Sequence, residues 1–164
     1  MAHQYHLADL FETVAATVPD RVALITDSRT ATFAELNARA DAIASGMAAR
    51  GIGRGDTVGL YLMNCAAHLE ALLATLKLGA VPFNVNYRYV AEELEYLLTD
   101  SNASACIVHS RFAPLLAAVR PMLPNLRVVI QVPDSSGNPL LDGAIWYEDA
   151  LTQSPSTKPV AGYH

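Results

Sequence analysis

From Thr57 to Val132 the sequence alternates short apolar, β-branched runs with stretches of helical period, and this alternation limits the available folds more than any other feature. Thr57 to Leu62, Val81 to Val85, Ala105 to His109 and Arg127 to Val132 read as four strands. Cys65 to Leu78, Ala91 to Thr99 and the stretch from Ser110 to Pro121 read as the helices between them. A helical crossover returns the chain to the same end of a sheet, so strands joined this way pair in parallel. Parallel strands must be covered on both sides. The expected class is therefore α/β, a mostly parallel sheet with helices on both faces.

The preceding segment has a different grammar. Leu7, Leu10, Phe11 and Val14 recur at helical spacing and Pro19 stops the run. Val22 to Thr26, the turn Asp27-Ser28-Arg29 and Ala31 to Phe33 read as a hairpin. Thr32 and Glu35 then form a capping box, opening a helix with an apolar stripe through Leu36, Ala40, Ile43 and Met47. Arg50 suits its negative end and Gly51 its left-handed terminus. Further on, Asn64 and Ser110 are expected to cap helices, whereas Val90 cannot cap the one it precedes. The helix from Cys65 is apolar nearly all round, which predicts a sandwiched position. Ala144 to Tyr147 reads as a short edge strand, followed by a helical turn over Glu148 to Leu151. The expected organisation is a hairpin and helix over 7–50, a parallel core over 57–132 and an edge segment over 140–151, together one partial domain spanning 1–153. Residues 154–164 have linker composition.

Composition narrows the function classes. Hydrophobic residues make up 52% and charged residues 16%, enough apolar surface for a core and a hint that other protein covers part of the chain. The net charge is −5, the arginines are scattered, and Lys77 and Lys158 are the only lysines, so no basic stripe serves nucleic acid or anionic lipid. No apolar run approaches the ~20 residues of a membrane span. No secretory leader is recognisable, and cytoplasm is the expected location. Cys65 and Cys106 lie in apolar stretches and read as reduced, buried small hydrophobes.

Individual motifs give little chemistry. Gly51, Gly53 and Gly55 stand after a helix and before a strand, the reverse of a dinucleotide loop, and read as a turn. Ser135-Ser136-Gly137 lacks a nearby lysine and is followed by Pro139, so it also reads as a turn. The histidines do not form a metal site by spacing, His3 and His6 lying near the terminus, His68 on the apolar helix and His109 at a strand end. The segment from Val81 to Tyr89 is the exception, because it leaves the C-terminal end of a parallel strand, where ligand-facing loops gather. Asn84, Asn86, Tyr87 and Arg88 are the candidate substrate-binding or interface residues, with a self-satisfied ordered loop as the competing reading.

Thr32-Phe33-Ala34-Glu35-Leu36, then Gly51-Ile52-Gly53-Arg54-Gly55-Asp56-Thr57-Val58, then Leu72 to Pro82 in order resembles the N-terminal part of adenylate-forming acyl-CoA synthetases, which have a luciferase-like fold. Asn84 to Tyr89, running into Glu92-Glu93-Leu94 and Tyr96-Leu97-Leu98, is similar to the actinobacterial fatty acyl-CoA and steroid-acid-CoA ligases. The resemblance runs from about Leu7 to Asp149. It implies activation of a carboxylic acid with ATP and Mg²⁺ to an acyl-adenylate, release of pyrophosphate and transfer to coenzyme A. It also implies that the phosphate loop, the acidic residue for metal and ribose, and the C-terminal lysine follow the point where this sequence stops. Neither Lys77 nor Lys158 matches a family lysine, so no catalytic residue and no metal ligand is carried over. The chain is expected to be an N-terminal fragment, inactive alone and needing no cofactor itself. Its expected partners are a fatty or steroid acid in the whole enzyme, the remainder of that enzyme and a second copy. A free-standing, non-catalytic binding or dimerisation module built from the same half-domain is the alternative. A response-regulator-like domain fits less well, because the strand ends lack clustered acidic residues.

Overall fold

The computed structural model describes residues 6–152. The expected linker at 154–164, with Lys158, and His3 lie outside the described residues. Helix α1 (Leu7–Thr17) leads to a hairpin of β1 (Val22–Ile25) and β2 (Thr30–Thr32), then to α2 (Phe33–Ala48). The larger unit is β3 (Thr57–Tyr61), α3 (Ala66–Lys77), β4 (Val81–Asn84), α4 (Ala91–Asp100), β5 (Ala105–His109), α5 (Ala113–Val119), β6 (Val128–Val132), β7 (Ile145–Trp146) and α6 (Tyr147–Thr152). Short 3₁₀ turns flank α5.

Five parallel strands form one sheet in the order β4-β3-β5-β6-β7. Alternation along each strand sends successive side chains to opposite faces. Val58, Leu60, Ile107 and Ile130 meet α2, α3 and α6 on one face. Tyr61, Cys106, Val108 and Val129 meet α4 and α5 on the other. Both faces are covered, as the strand-helix alternation requires. Gly59 in β3 shows how tight the second face is. A Cβ there would come within 3.2 Å of Phe83 and 3.4 Å of Leu98.

The local signals at α2 act as expected. Thr32 Oγ1 accepts from the Glu35 amide at 3.2 Å, and Glu35 accepts from the Thr32 amide at 2.8 Å. The stripe Leu36, Ala40, Ile43 and Met47 is buried, and Gly51 has a φ of +82°. Two expected caps are corrected. Cys65, not Asn64, precedes α3, and no side-chain oxygen caps it. Ser110 lies within the 3₁₀ turn after β5, where its hydroxyl donates to the Val132 carbonyl at 3.2 Å and accepts from the Gln131 side chain at 3.0 Å. A serine that can join two adjacent strand ends satisfies buried groups there instead of a helix amide. Val90 has no acceptor to offer, but Glu93 still accepts from its amide at 3.1 Å, which supplies half of a capping box.

Helix α3 is sandwiched, but not because it lacks charge. Its Glu70 and Lys77 are both buried. Glu70 accepts from Arg29 and Arg39 at 2.7 Å each and from the Tyr147 hydroxyl at 2.9 Å. Lys77 is paired with Glu12 and with Asp41 at 2.8 Å, and donates to Asn37 at 2.9 Å. The two charges fasten α3 to α1, the hairpin, α2 and α6.

Candidate functional site

The order β4-β3-β5 places a reversal in the sheet. After β3 the chain turns to the face of α3; after β5 it turns to the face of α5. Neighbouring strands whose continuations leave toward opposite faces open a crevice at their C-terminal ends, where open α/β sheets bind ligands. Three loops meet at this rim: 62–65 after β3, 85–90 after β4 and 110–112 after β5.

His109, the last residue of β5, joins the first and third loops. Its Nδ1 accepts from the Met63 amide at 3.0 Å, and its Nε2 lies 3.7 Å from Cys65 Sγ. An accepting Nδ1 fixes the neutral tautomer with the proton on Nε2. Burial pushes this imidazole below its ordinary range, opposed by the Asp134 carboxylate and aided by Arg111 and His68. Burial also raises the Cys65 thiol, although the amides of His68 and Ala67 work the other way. The pair is therefore a thiol receiving an N–H. With Nδ1 already accepting and Nε2 carrying the proton, the imidazole has no free lone pair to activate Cys65 as a nucleophile.

An aromatic row continues from this point. Tyr61 stacks on Phe112 at 4.7 Å between centroids, and Phe112 faces Tyr87 at 6.2 Å. His109 meets Phe112 edge-on at 6.4 Å. The Tyr61 hydroxyl is buried and has no hydrogen-bond partner among the described residues. The Arg88 guanidinium lies 5.6 Å from the centroid of the Tyr87 ring.

The four residues expected from sequence divide here. Tyr87 and Arg88 are exposed at the outer end of the aromatic row. Asn84 ends β4 with its side chain 3.2 Å from His68 Nε2. Asn86 accepts from the Arg88 amide at 3.0 Å, the self-satisfied arrangement of the competing reading. Sequence reasoning missed His109, Phe112 and Tyr61. The signal available was position, since all three lie where β3 and β5 end or turn. Cys65 is corrected too: it is half-buried beside an imidazole, whereas Cys106 is the fully buried hydrophobe expected. Next to the rim, a groove of about 450 Å³ runs between hairpin residues 24–27 and the start of α3, with Cys65 and His68 in its wall.

The described residues do not fit a metal–triphosphate centre. Among the described residues no three His, Cys, Asp or Glu side chains are arranged to hold a metal ion. The Ser135-Ser136-Gly137 turn uses its amides internally: Asp134 accepts from the Ser136 amide at 2.8 Å, and Ser136 accepts from the Asn138 amide at 3.3 Å. A carboxylate at its centre would repel phosphate. Gly51, Gly53 and Gly55 lie before β3, at the opposite end of the sheet from the rim. No helix among the described residues is long and apolar enough to cross a membrane.

The sequence profile of the family described as AMP-binding enzyme matches residues 11–161. A medium-chain acyl-CoA ligase of Mycobacterium avium is 43% identical over 89% of this chain and 29% of its own length. The 3-oxocholest-4-en-26-oate–CoA ligase of Rhodococcus rhodochrous is 39% identical over 91% of this chain and 27% of its own. Among solved structures, an anthranilate CoA ligase in complex with anthranoyl-AMP superposes with a TM-score of 0.87 at 27% identity, over 96% of this chain and 30% of that one. The chain thus spans less than a third of the length of these relatives.

Proposed function

The chain belongs to the AMP-binding enzyme family, and from that premise we propose that it is the N-terminal framework of a fatty-acid or steroid-acid CoA ligase. Such a ligase joins a carboxylic acid to coenzyme A through an acyl-adenylate, with ATP and Mg²⁺ supplied to parts of the enzyme outside this stretch. The contribution of these residues is architectural: the rigid parallel sheet and, at its C-terminal rim, one wall of the substrate crevice. The observation that supports this division is the rim itself. Its outward face is aromatic, formed by exposed Tyr87 and half-buried Phe112, which rest on the buried Tyr61 and a neutral His109. Such a surface suits an apolar acyl or ring system. Asn84, Asn86, Tyr87 and Arg88 form the outer lip of this wall, with Arg88 the exposed cation there.

On this reading the chain alone is inactive, its partner is the remainder of the ligase, and its place is the cytoplasm. Pyrophosphate release in the presence of ATP, Mg²⁺, coenzyme A and a panel of medium-chain, long-chain and steroid acids should stay at background for the 164-residue chain. Sustained turnover by this chain overturns the proposal.

A further inference from the structure

His109 is bound through both ring nitrogens to one loop, and that loop forms part of the wall of the 450 Å³ groove. Its Nδ1 accepts from the Met63 amide, an arrangement available only while Nδ1 carries no proton. We infer that His109 is a neutral-imidazole latch, holding loop 62–65 closed against the end of β5, and that a proton on Nδ1 releases the loop and exposes the half-buried Cys65 further.

The two protonation states of the ring differ at both contacts. In the neutral form Met63 N–H points at a lone pair, and Nε2–H points at sulfur. In the charged form Nδ1–H and Met63 N–H oppose each other, and an amide half-buried at a strand end must find water. The groups facing the ring set when this happens. Cys65 in the loop and Phe112 beside the ring are uncharged and favour the neutral form. His68 on α3 and Arg111 on the adjoining 3₁₀ turn also disfavour a second positive charge. Asp134, from the loop after β6, favours it, but its carboxylate already accepts from the Arg111 amide at 2.9 Å and lies 3.4 Å from the Arg111 guanidinium. The latch thus holds at neutral pH and opens on acidification. It acts at the groove and needs no turnover, so it stands or falls separately from the ligase reading.

The test uses the 164-residue chain. Long-range ¹H–¹⁵N spectra identify the His109 tautomer and follow its protonation. In parallel, 4,4′-dithiodipyridine, which reacts with thiols in acid, reports Cys65, while buried Cys106 stays silent. Rates are divided by those of a small reference thiol at each pH. The latch predicts Nε2–H at pH 7.5. It also predicts a normalised Cys65 rate that rises about five- to tenfold as His109 protonates, the factor set by losing one hydrogen bond. His109→Asn places an amide oxygen where Nδ1 lies and cannot be switched by a proton, so its Cys65 should stay slow throughout. The proposal is overturned by an Nδ1–H tautomer, by a flat wild-type rate across His109 protonation, by a matching rise in His109→Asn, or by global unfolding before His109 protonates.

Discussion

The two faces of the sheet solve the same burial problem with different chemistry. The face covered by α2, α3 and α6 contains two buried charges, Glu70 and Lys77, each with three partners. The face covered by α4 and α5 closes on aliphatic and aromatic packing around one buried amide, Gln131, which bonds Ser110, Pro139 and Leu141, with the Tyr61 hydroxyl left unpartnered. The difference follows from what each face must join. On the first, α3 has to be tied to elements far away in sequence, and Glu70 reaches Arg29, Arg39 and Tyr147 at separations of 41, 31 and 77 residues. Ion pairs with hydrogen-bond geometry set a definite register for such a joint, at a desolvation cost. On the second, no charge is buried among the described residues, and Gln131 reaches partners only 8 to 21 residues away.

The contrast predicts opposite signs for deleting the partnered charges of the first face and the unpartnered hydroxyl of the second. Glu70→Ala leaves Arg39 and the Tyr147 hydroxyl facing a buried void and should cost about 3 kcal/mol, read as a lower urea midpoint at unchanged slope. Lys77→Met should cost less, about 2 kcal/mol, because Glu12 and Asp41 are partly hydrated and can turn to water. Tyr61→Phe should be neutral or stabilising by up to about 1 kcal/mol, since it removes a buried group that has no partner. A destabilising Tyr61→Phe would break the comparison and point to a bound water or ligand on that hydroxyl.

A smaller effect is expected from pH. The His109 imidazole is held below its ordinary value of 6.5 by burial, so the unfolded chain takes up this proton before the folded one does. Its contribution to stability is complete above about 6.5 and declines as pH falls toward the lowered folded value. Asp56 titrates in a separate, more acidic window. Burial works against its charge, but Ser104, the Gly53 amide and Arg127 hold it below 3.8, so its contribution is lost only under stronger acid. Urea midpoints at pH 7.5, 6 and 5 should fall for the wild type and fall less for His109→Asn.

Most of the architecture was legible because it rests on short-range signals. The period of the apolar residues, the Thr32–Glu35 box and the left-handed Gly51 each involve neighbours within a few positions. The misses are of two kinds, a one-residue shift at the start of α3 and partners drawn from distant elements. Asn64 and Ser110 have cap-forming side chains, but Cys65 takes the capping position before α3 and strand β6 takes the Ser110 hydroxyl. Glu70 and Lys77 look like two solvent-facing charges on an apolar helix until their partners are brought to them from other elements. Tyr87 and Arg88 were conspicuous in the sequence because they leave a strand end in a polar run. His109, Cys65 and Phe112 were not, because only the sheet order β4-β3-β5 reveals that their loops adjoin.

If residues 6–152 supply a ligase framework, they should stand in for the same segment of a relative. Replacing the corresponding N-terminal segment of the Mycobacterium avium medium-chain ligase, 43% identical to it, with residues 6–152 tests this directly. The expected product is a folded chimera that forms acyl-CoA with kcat/KM within about tenfold of the parent, a loss of no more than about 1.4 kcal/mol in transition-state stabilisation. A folded chimera that binds ATP but forms no acyl-CoA from any acid tested would contradict the framework reading.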